Sequence, residues 1–160
     1  MALKQDSRLG RAVLSMAASP KFLNFAPKVV PKVDRFLNKV TGGRVLMSSG
    51  MVPSLVLTAT GAKSGRSYDT PLATVPDGDA FYIVGSNYGG ENHPAWSGNL
   101  IANPEATVTF KGKRIPVRAR LLDAQEKQAV WPTLIKAWPN YDAYVVKSGG
   151  RDLRVFRLER

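Results

Sequence analysis

The segment 61–66, GAKSGR, places two glycines, two cations and a hydroxyl within six residues. Glycine allows the backbone to turn tightly, so that successive N–H groups point into one concavity that binds an anion. Lys63 and Arg66 add positive charge, and Ser64 adds a hydroxyl. These residues predict a site for a phosphate or carboxylate group. The spacing matches neither GxxxxGK[ST] nor GxGxxG, so an ordinary basic hairpin loop is the alternative.

Composition excludes several kinds of chemistry. The chain has 160 residues, enough for one domain with a real core, and its lack of cysteine excludes disulfides, thiolate metal sites and thiol nucleophiles. The absence of cysteine also fits a reducing interior, so we expect a cytoplasmic protein. The single histidine, His93, precedes Pro94, and we expect it to satisfy a local hydrogen bond; lining a cofactor entrance is the alternative. We expect no metal site and no serine-hydrolase triad.

The net charge of +11 is concentrated near the N-terminus. Residues 1–45 hold nine lysines and arginines against two aspartates, a net charge of +7. We expect residues 1–45 to form a basic amphipathic helical arm and residues 46–160 to form a barrel domain. An anionic membrane surface or a nucleic acid is the expected partner of the arm, and a solvated basic face is the alternative. No run has the length of a transmembrane helix, so membrane binding would be peripheral, on the inner face of the cell membrane.

Within the arm, apolar spacing predicts a short helix over Ser7–Ala18. Pro20, Pro27 and Pro31 are expected to break the next stretch. Pro31 then begins a second helix, which Gly42-Gly43 ends.

Beyond residue 53 the patterns predict strands joined by hairpins. The expected strands are 54–60, 70–75, 80–85, 106–111, 114–122 and 151–158. Helices are expected over 94–103 and 141–147. Between them, Asp123 is expected to cap a third helix, with Glu126 three residues on as in a capping box. Pro132 either kinks that helix or begins another. This order, without regular strand–helix alternation, indicates an α+β fold built on a small antiparallel barrel.

Three segments taken together resemble one family. They are TATGAKSGRSYDTPL at 58–72, the runs SNYGG, NHPAW and NLIANP between 86 and 104, and WP at 131 followed by WPNY at 138 and a tyrosine at 144. Their order and spacing are similar to the deazaflavin-dependent nitroreductases and quinone reductases of actinobacteria, which use coenzyme F420. The resemblance runs from about Leu55 to the C-terminus. It implies an FMN-binding split-barrel-like fold with inserted helices and an N-terminal helical arm.

The resemblance also implies site residues. The phosphate-bearing tail of the 8-hydroxy-5-deazaflavin cofactor would lie in the basic loop. The residues expected to bind the cofactor are Lys63, Ser64, Gly65, Arg66, Pro71, Leu72, Ser86, Asn87, Tyr88, Gly89, Trp96 and Asn99. An aromatic lid over the substrate would be Trp138, Tyr141 and Tyr144. Many relatives have a basic residue where Ala62 and Tyr68 stand here, which reduces the charge available to the tail, and Arg66 is the expected compensation. At the position of Trp138 many relatives have tyrosine in the lid. The resemblance therefore indicates the substrate less directly than it indicates the cofactor class.

A deazaflavin transfers hydride, so the acceptor must be electron-poor: a quinone, a conjugated enone or a nitroaromatic compound. The reduced product carries negative charge and needs a nearby hydrogen-bond donor. Tyr141 is the first candidate for this catalytic role, Ser86 the second, and Tyr144 lies beside them. The alternative is that Tyr141 and Tyr144 are an i, i+3 packing pair.

The sequence therefore predicts an enzyme that transfers hydride from reduced coenzyme F420 to such an acceptor, with a membrane quinone as the attractive physiological acceptor. Two alternatives stay open. One is a non-catalytic split-barrel module that binds a cofactor or a membrane surface. The other is an FMN-dependent reductase, although FMN is less favoured than coenzyme F420 as the cofactor. Few aromatic residues fall on predicted strands beside basic groups, which argues against nucleic acid as a partner.

Overall fold

A computed structural model describes residues 19–41 and 52–160. The described elements are seven strands, four α-helices and one turn of 3-10 helix. The strands are β1 (Ser54–Thr60), β2 (Ser67–Ala73), β3 (Val75–Asp77), β4 (Ala80–Val84), β5 (Glu105–Phe110), β6 (Lys113–Leu121) and β7 (Val155–Glu159). The helices are α1 (Pro20–Thr41), the 3-10 turn (Asn87–Gly89), α2 (Ala95–Ala102), α3 (Ala124–Ala137) and α4 (Asn140–Lys147).

All seven strands pair antiparallel in one sheet, in the order β2-β1-β5-β6-β7-β4-β3. The sheet curls, so that β2 at one edge also approaches β4 near the other edge. Thr74, between β2 and β3, helps this closure: its N–H donates to the Pro53 carbonyl at 2.8 Å and its Oγ1 donates to the Tyr82 carbonyl at 2.9 Å. The result is a split antiparallel barrel of class α+β, as the sequence predicts.

Each face of the curled sheet covers a separate core, because alternate strand residues point to opposite faces. Ile83 and Phe156 belong to the cluster inside the curl, where Trp96 and Leu100 of α2 close one side. Their neighbours Val84 and Val155 belong to a second cluster on the other face. Helices α3 and α4 cover this second cluster, and their buried members are Leu134, Trp138, Tyr141 and Tyr144. The site tyrosines therefore lie in the second core.

Local signals explain most element boundaries. Asp123 accepts from the Glu126 N–H at 2.8 Å, and Glu126 accepts from the Asp123 N–H at 3.1 Å, so the predicted capping box begins α3. Helix α3 continues through Pro132 to Ala137, and no second helix begins at that proline. The β5–β6 turn has positive φ at Lys111 and Gly112, the requirement of a tight hairpin.

The prediction that prolines break residues 20–31 is wrong. Helix α1 runs without interruption through Pro27 and Pro31. Its packing offsets the lost hydrogen bonds: Ala26 is fully buried, and Phe22 packs against the second core. In the described residues, no helix has the length and apolarity needed to cross a bilayer. The predicted helix over residues 7–18, the stop at residues 42–43 and the division of the chain at residue 45 lie outside the described residues.

Two strand predictions need correction. The predicted strand 70–75 is two strands, β2 and β3, which bend apart at the buried Thr74. The predicted strand 151–158 begins only at Val155, because Arg151 is turned toward another part of the chain. The remaining predicted strands differ from those observed by one residue at most at either end.

Candidate cofactor and substrate site

The loop joining β1 to β2 is closed by its own backbone. Gly61 N–H donates to the Arg66 carbonyl at 2.8 Å, and Gly65 N–H donates to the Gly61 carbonyl at 2.9 Å. The Arg66 N–H donates to Ser64 Oγ at 3.2 Å, and Ser64 Oγ shares a 3.0 Å hydrogen bond with the Tyr68 hydroxyl. Gly65 has a φ of +65°, which glycine adopts without steric cost. The loop is therefore a preformed turn.

Two backbone amides at the tip of this loop are available to a ligand. Lys63 and Ser64 are exposed, and their N–H groups donate to no other residue in the described ranges. The other N–H groups of the loop bond within it or, at Ala62, to the Asn99 side chain, so only part of the predicted concavity is available to a ligand. Lys63 and Arg66 are both exposed beside the free amides. Two such amides and two cations in one loop suit an anionic group.

Helix α2 holds this loop in place. Asn99 Oδ1 accepts from the Ala62 N–H at 3.0 Å, so Asn99 acts on the loop backbone. Trp96 is buried against Phe156, with ring centroids 5.8 Å apart. On the edge strand β2, Pro71 is half-buried and Leu72 packs against the inner core. Asn99 thus supports the basic loop, while Trp96 and Leu72 pack in the inner core, Leu72 at the end of the β1–β2 pair away from the loop.

The loop between β4 and α2 has an unusual backbone. Asn87, Tyr88 and Gly89 have φ values of +47°, +51° and +74°. A left-handed conformation costs on the order of 1–2 kcal/mol for each residue other than glycine, so the surroundings must fix this loop. Gly89 lies directly against α4, and the Tyr88 ring meets the Tyr144 ring edge to face with centroids 6.2 Å apart. The loop therefore joins the barrel to the tyrosine cluster.

Arg151 is the residue of this region that sequence reasoning missed. Its guanidinium donates to the carbonyls of Gly85, Ser86 and Gly90 at 3.1, 2.7 and 3.1 Å. A fourth contact joins Arg151 Nη1 to His93 Nδ1 at 2.9 Å. The only sequence signal was an arginine following two glycines, inside what was predicted to be a strand.

His93 takes the structural role expected of it. Since the arginine can only donate, His93 Nδ1 accepts and its ring is neutral. Burial lowers the pKa of His93, and the nearby Arg154 and Arg151 lower it further, while Asp152 opposes them.

The predicted lid residues are closely packed. Trp138, Tyr141 and Tyr144 are all buried in the second core. The ring of Tyr141 contacts those of Trp131 and Tyr144, at centroid distances of 6.2 and 6.3 Å. The i, i+3 packing of Tyr141 and Tyr144 is thus present, and it holds the two rings in fixed positions.

The two tyrosines differ in what their hydroxyls do. The side chains of Trp138 and Asn140 hydrogen-bond the Tyr144 hydroxyl; burial raises the pKa of Tyr144, and these bonds partly oppose the rise. Tyr141 is 96% buried, with a relative exposure of 4%, yet its hydroxyl bonds to no residue that the structure describes. Burial, with smaller contributions from Tyr144 and Tyr88, raises the pKa of Tyr141 well above its usual range. Tyr141 is therefore neutral. Among the described residues no fully buried polar side-chain atom lacks a hydrogen-bond partner, so the Tyr141 hydroxyl is not an orphaned buried group and retains some access to the surface.

Replacing Gly89 with alanine is expected to destabilise the protein by about 2–4 kcal/mol, because strain and a steric clash add. A Cβ at Gly89 would lie 3.0 Å from two carbon atoms of Lys147 and 3.1 Å from the Tyr144 Cα, in a backbone with φ of +74°. Gly78→Ala is the matched control, since its φ is +58° and nothing lies within 4 Å of the added Cβ. Thermal unfolding of both variants measures the difference. Equal losses at the two positions would show that the contact with α4 contributes nothing.

The predicted residues thus form two groups. The basic loop and Asn99 form one, and residues 86–89 with the tyrosine cluster form the other. A deazaflavin with an anionic tail fits this arrangement, since two amides and two cations stand at one group and the Tyr141 hydroxyl, which bonds to no described residue, stands at the other. The fold is that of a split-barrel protein, and the chemistry of the two groups suits a flat cofactor with an anionic tail.

The family follows from comparison with known proteins. The model of the F420H(2)-dependent quinone reductase family matches residues 31–160. The chain belongs to this family, which confirms the predicted family, the cofactor class and the assignment as an oxidoreductase.

Individual relatives agree with the family model. An F420H(2)-dependent quinone reductase of Mycobacterium tuberculosis is 42% identical over 71 residues, which are 44% of this chain and 48% of that protein. Another protein of M. tuberculosis, provisionally given the same name, is 32% identical over 92 residues, 58% of this chain and 77% of its own length. The solved structure of the F420-H2 dependent reductase FDR-A is 35% identical, with a TM-score of 0.61 over 67% of this chain and 94% of that one.

Proposed function

We propose that this protein reduces a quinone with hydride from reduced coenzyme F420, and that Tyr141 donates a hydrogen bond or proton to the reduced oxygen. The proposal is supported above all by Tyr141, a buried residue whose hydroxyl bonds to no described residue and retains some access to the surface. The names of the relatives support a quinone as acceptor. Enones and nitroaromatics share its electron-poor, flat chemistry and remain expected secondary substrates.

The cofactor is held, in this proposal, by the residues that the resemblance predicted. The amides of Lys63 and Ser64, the turn at Gly65 and the charge of Arg66 bind the anionic tail. Pro71 and Leu72 on β2, with Trp96 and Asn99 on α2, line or support the groove. Residues 86–89 meet the ring. When bound, the deazaflavin supplies the hydride, and the chain's own task is to orient it and exclude water.

Tyr141 suits the donor role in its charge state as well as its position. Because burial raises its pKa, the hydroxyl keeps its proton throughout the physiological pH range. A neutral donor in a site of low dielectric stabilises developing negative charge without prior deprotonation. Trp131 and Tyr144 pack against the Tyr141 ring, and the hydroxyl of Tyr144 already bonds to Trp138 and Asn140. Ser86 remains the second candidate, as its carbonyl is bonded by Arg151 while its side chain caps nothing.

Turnover under anaerobic conditions tests this function. The purified chain is mixed with reduced coenzyme F420 and a water-soluble quinone, and cofactor oxidation is followed by absorbance. Oxidation that requires both protein and quinone is the expected result. Cofactor binding without turnover on quinones, enones or nitroaromatics would instead favour a non-catalytic binding module.

We further propose that α1 binds an anionic membrane surface, where a lipid quinone would be found. Lys21, Phe25, Lys28, Lys32 and Phe36 follow spacings of four and three residues and so share one helix face. All five are exposed, and the two phenylalanines are 61% and 65% exposed. On an adjacent face of the helix, Phe22 packs against the second core and Ala26 is fully buried. A helix anchored on one face and basic–aromatic on the adjacent one fits an interfacial position.

Replacing Lys21, Lys28 and Lys32 together with glutamine is expected to weaken binding to anionic vesicles roughly a hundredfold, at about 1 kcal/mol per lysine. Co-sedimentation at low and high salt measures this, since salt screens only the charge contribution. The control variant neutralises Lys111, Lys113 and Arg114 on the exposed β5–β6 hairpin. Equal losses in both variants would mean that net charge, and not the α1 face, determines binding.

A further inference from the structure

We propose that Arg151 is a positioning residue that holds residues 85–90 in the shape that receives the cofactor ring. This inference rests on the function proposed above, because residues 86–89 are there assigned to the ring. Arg151 contacts the loop backbone and His93, and it acts on the cofactor through them.

The contacts surround the strained part of the loop on both sides. Arg151 donates to Gly85 and Ser86, which precede the three left-handed residues, and to Gly90, which follows them. The Ser86 carbonyl accepts twice, from Arg151 at 2.7 Å and from the Gly89 N–H at 2.9 Å. A single side chain therefore fixes both ends of the turn and one of its internal hydrogen bonds.

Only arginine can make this set of bonds. Its planar guanidinium has five N–H donors in a fixed fork, whereas lysine has three donors at one point. The three carbonyls and His93 Nδ1 are reached by Nε, Nη1 and Nη2 together. Burial and the neighbouring Arg154 lower the pKa of Arg151. The surroundings therefore disfavour the charged guanidinium, and the hydrogen bonds to its acceptors must offset the cost of burying that charge.

The loop in turn abuts the reacting region. Gly89 lies against Tyr144 and Lys147, and Tyr88 packs on the Tyr144 ring. If the loop relaxed, the surface offered to the ring would change and Tyr88 would lose its fixed packing. Such a change weakens cofactor binding, while the donor Tyr141, on α4, is not directly touched.

Arg151→Lys tests the proposal in two measurements on the full chain. The first is amide hydrogen exchange by NMR without cofactor. We expect exchange at Gly89 and Gly90 to quicken at least about tenfold, with the amides of β5 unchanged, because local opening is separate from global unfolding. The second is affinity for oxidised coenzyme F420. We expect the Kd and the KM for the cofactor to rise about tenfold while kcat changes less than about threefold, the pattern of lost binding.

Arg154→Lys is the matched control. Arg154 is also half-buried on the same segment, but it donates to Ser97 Oγ in α2. It should leave exchange at Gly89 and Gly90 unchanged. Should Arg151→Lys fail to fold, His93→Ala removes one of the four acceptors and should raise the Kd about threefold, a smaller loss of the same kind.

The outcomes separate this inference from the function on which it rests. Unchanged exchange at Gly89 and Gly90, or quickened exchange with an unchanged Kd, overturns the positioning role while the proposed function stands. If the unmodified chain does not bind coenzyme F420 at all, the proposed function fails first. Quickened exchange together with a raised Kd, in Arg151→Lys and not in Arg154→Lys, supports the proposal.

Discussion

Replacing Tyr141 with phenylalanine is expected to lower turnover about ten- to a thousandfold, the usual contribution of one positioned donor. The ring, its packing against Trp131 and Tyr144 and the barrel core all remain, because only the hydroxyl is removed. That hydroxyl bonds to no described residue, so its loss breaks no bond within the described chain. Steady-state kinetics with a soluble quinone, beside a cofactor titration, should show reduced kcat at unchanged affinity.

Tyr144→Phe is the matched control for this prediction. It removes a hydroxyl that Trp138 and Asn140 already bond, so we expect a loss of stability and a smaller loss of turnover. If Tyr141→Phe is silent while Tyr141→Ala is impaired, Tyr141 only packs. Ser86→Ala is then the next variant to measure.

Replacing Lys63 with alanine is expected to weaken deazaflavin binding by roughly 1.5–3 kcal/mol, about ten- to 150-fold, the size of one charge-assisted hydrogen bond. Lys63 is exposed at the loop tip, and its side chain takes no part in the bonds that close the loop. The change should therefore leave the fold intact. A fluorescence titration with oxidised cofactor measures the dissociation constant.

Lys113→Ala, on the exposed β5–β6 hairpin, controls for the general loss of positive charge. Its dissociation constant should match that of the unmodified chain. A Lys63→Ala variant that binds as tightly as this control would place the anionic tail elsewhere on the protein.

Local patterns predicted most of the barrel. The capping box at Asp123 and the positive-φ turn at Gly112 involve neighbours within three residues, and both are present. The family segments also led to the correct cofactor class. The capping box and the turn depend on short-range hydrogen bonds and backbone sterics, which the local residue types determine.

Helix α1 shows where such local rules fail. Pro27 and Pro31 each remove a helical hydrogen bond, which predicts a break. The helix is continuous because Phe22 and Ala26 pack against the barrel, and that packing involves residues far along the chain. Tertiary burial has overridden a local preference.

Arg151 and Tyr141 show a second limit. The partners of Arg151 lie 58 to 66 positions away in the sequence, so no spacing rule indicates them. Tyr141 and Tyr144 look equivalent as an i, i+3 pair. Only their surroundings distinguish the bonded hydroxyl from the free one.

A fluorescence titration of the purified chain with oxidised coenzyme F420 and, separately, with FMN tests the central claim most directly. The basic loop with its two free amides, and membership of the family, predict micromolar or tighter binding of the deazaflavin and much weaker binding of FMN. Equal affinity for both cofactors would contradict the account, because the loop would then hold any flavin phosphate and the enzyme would not depend on a deazaflavin.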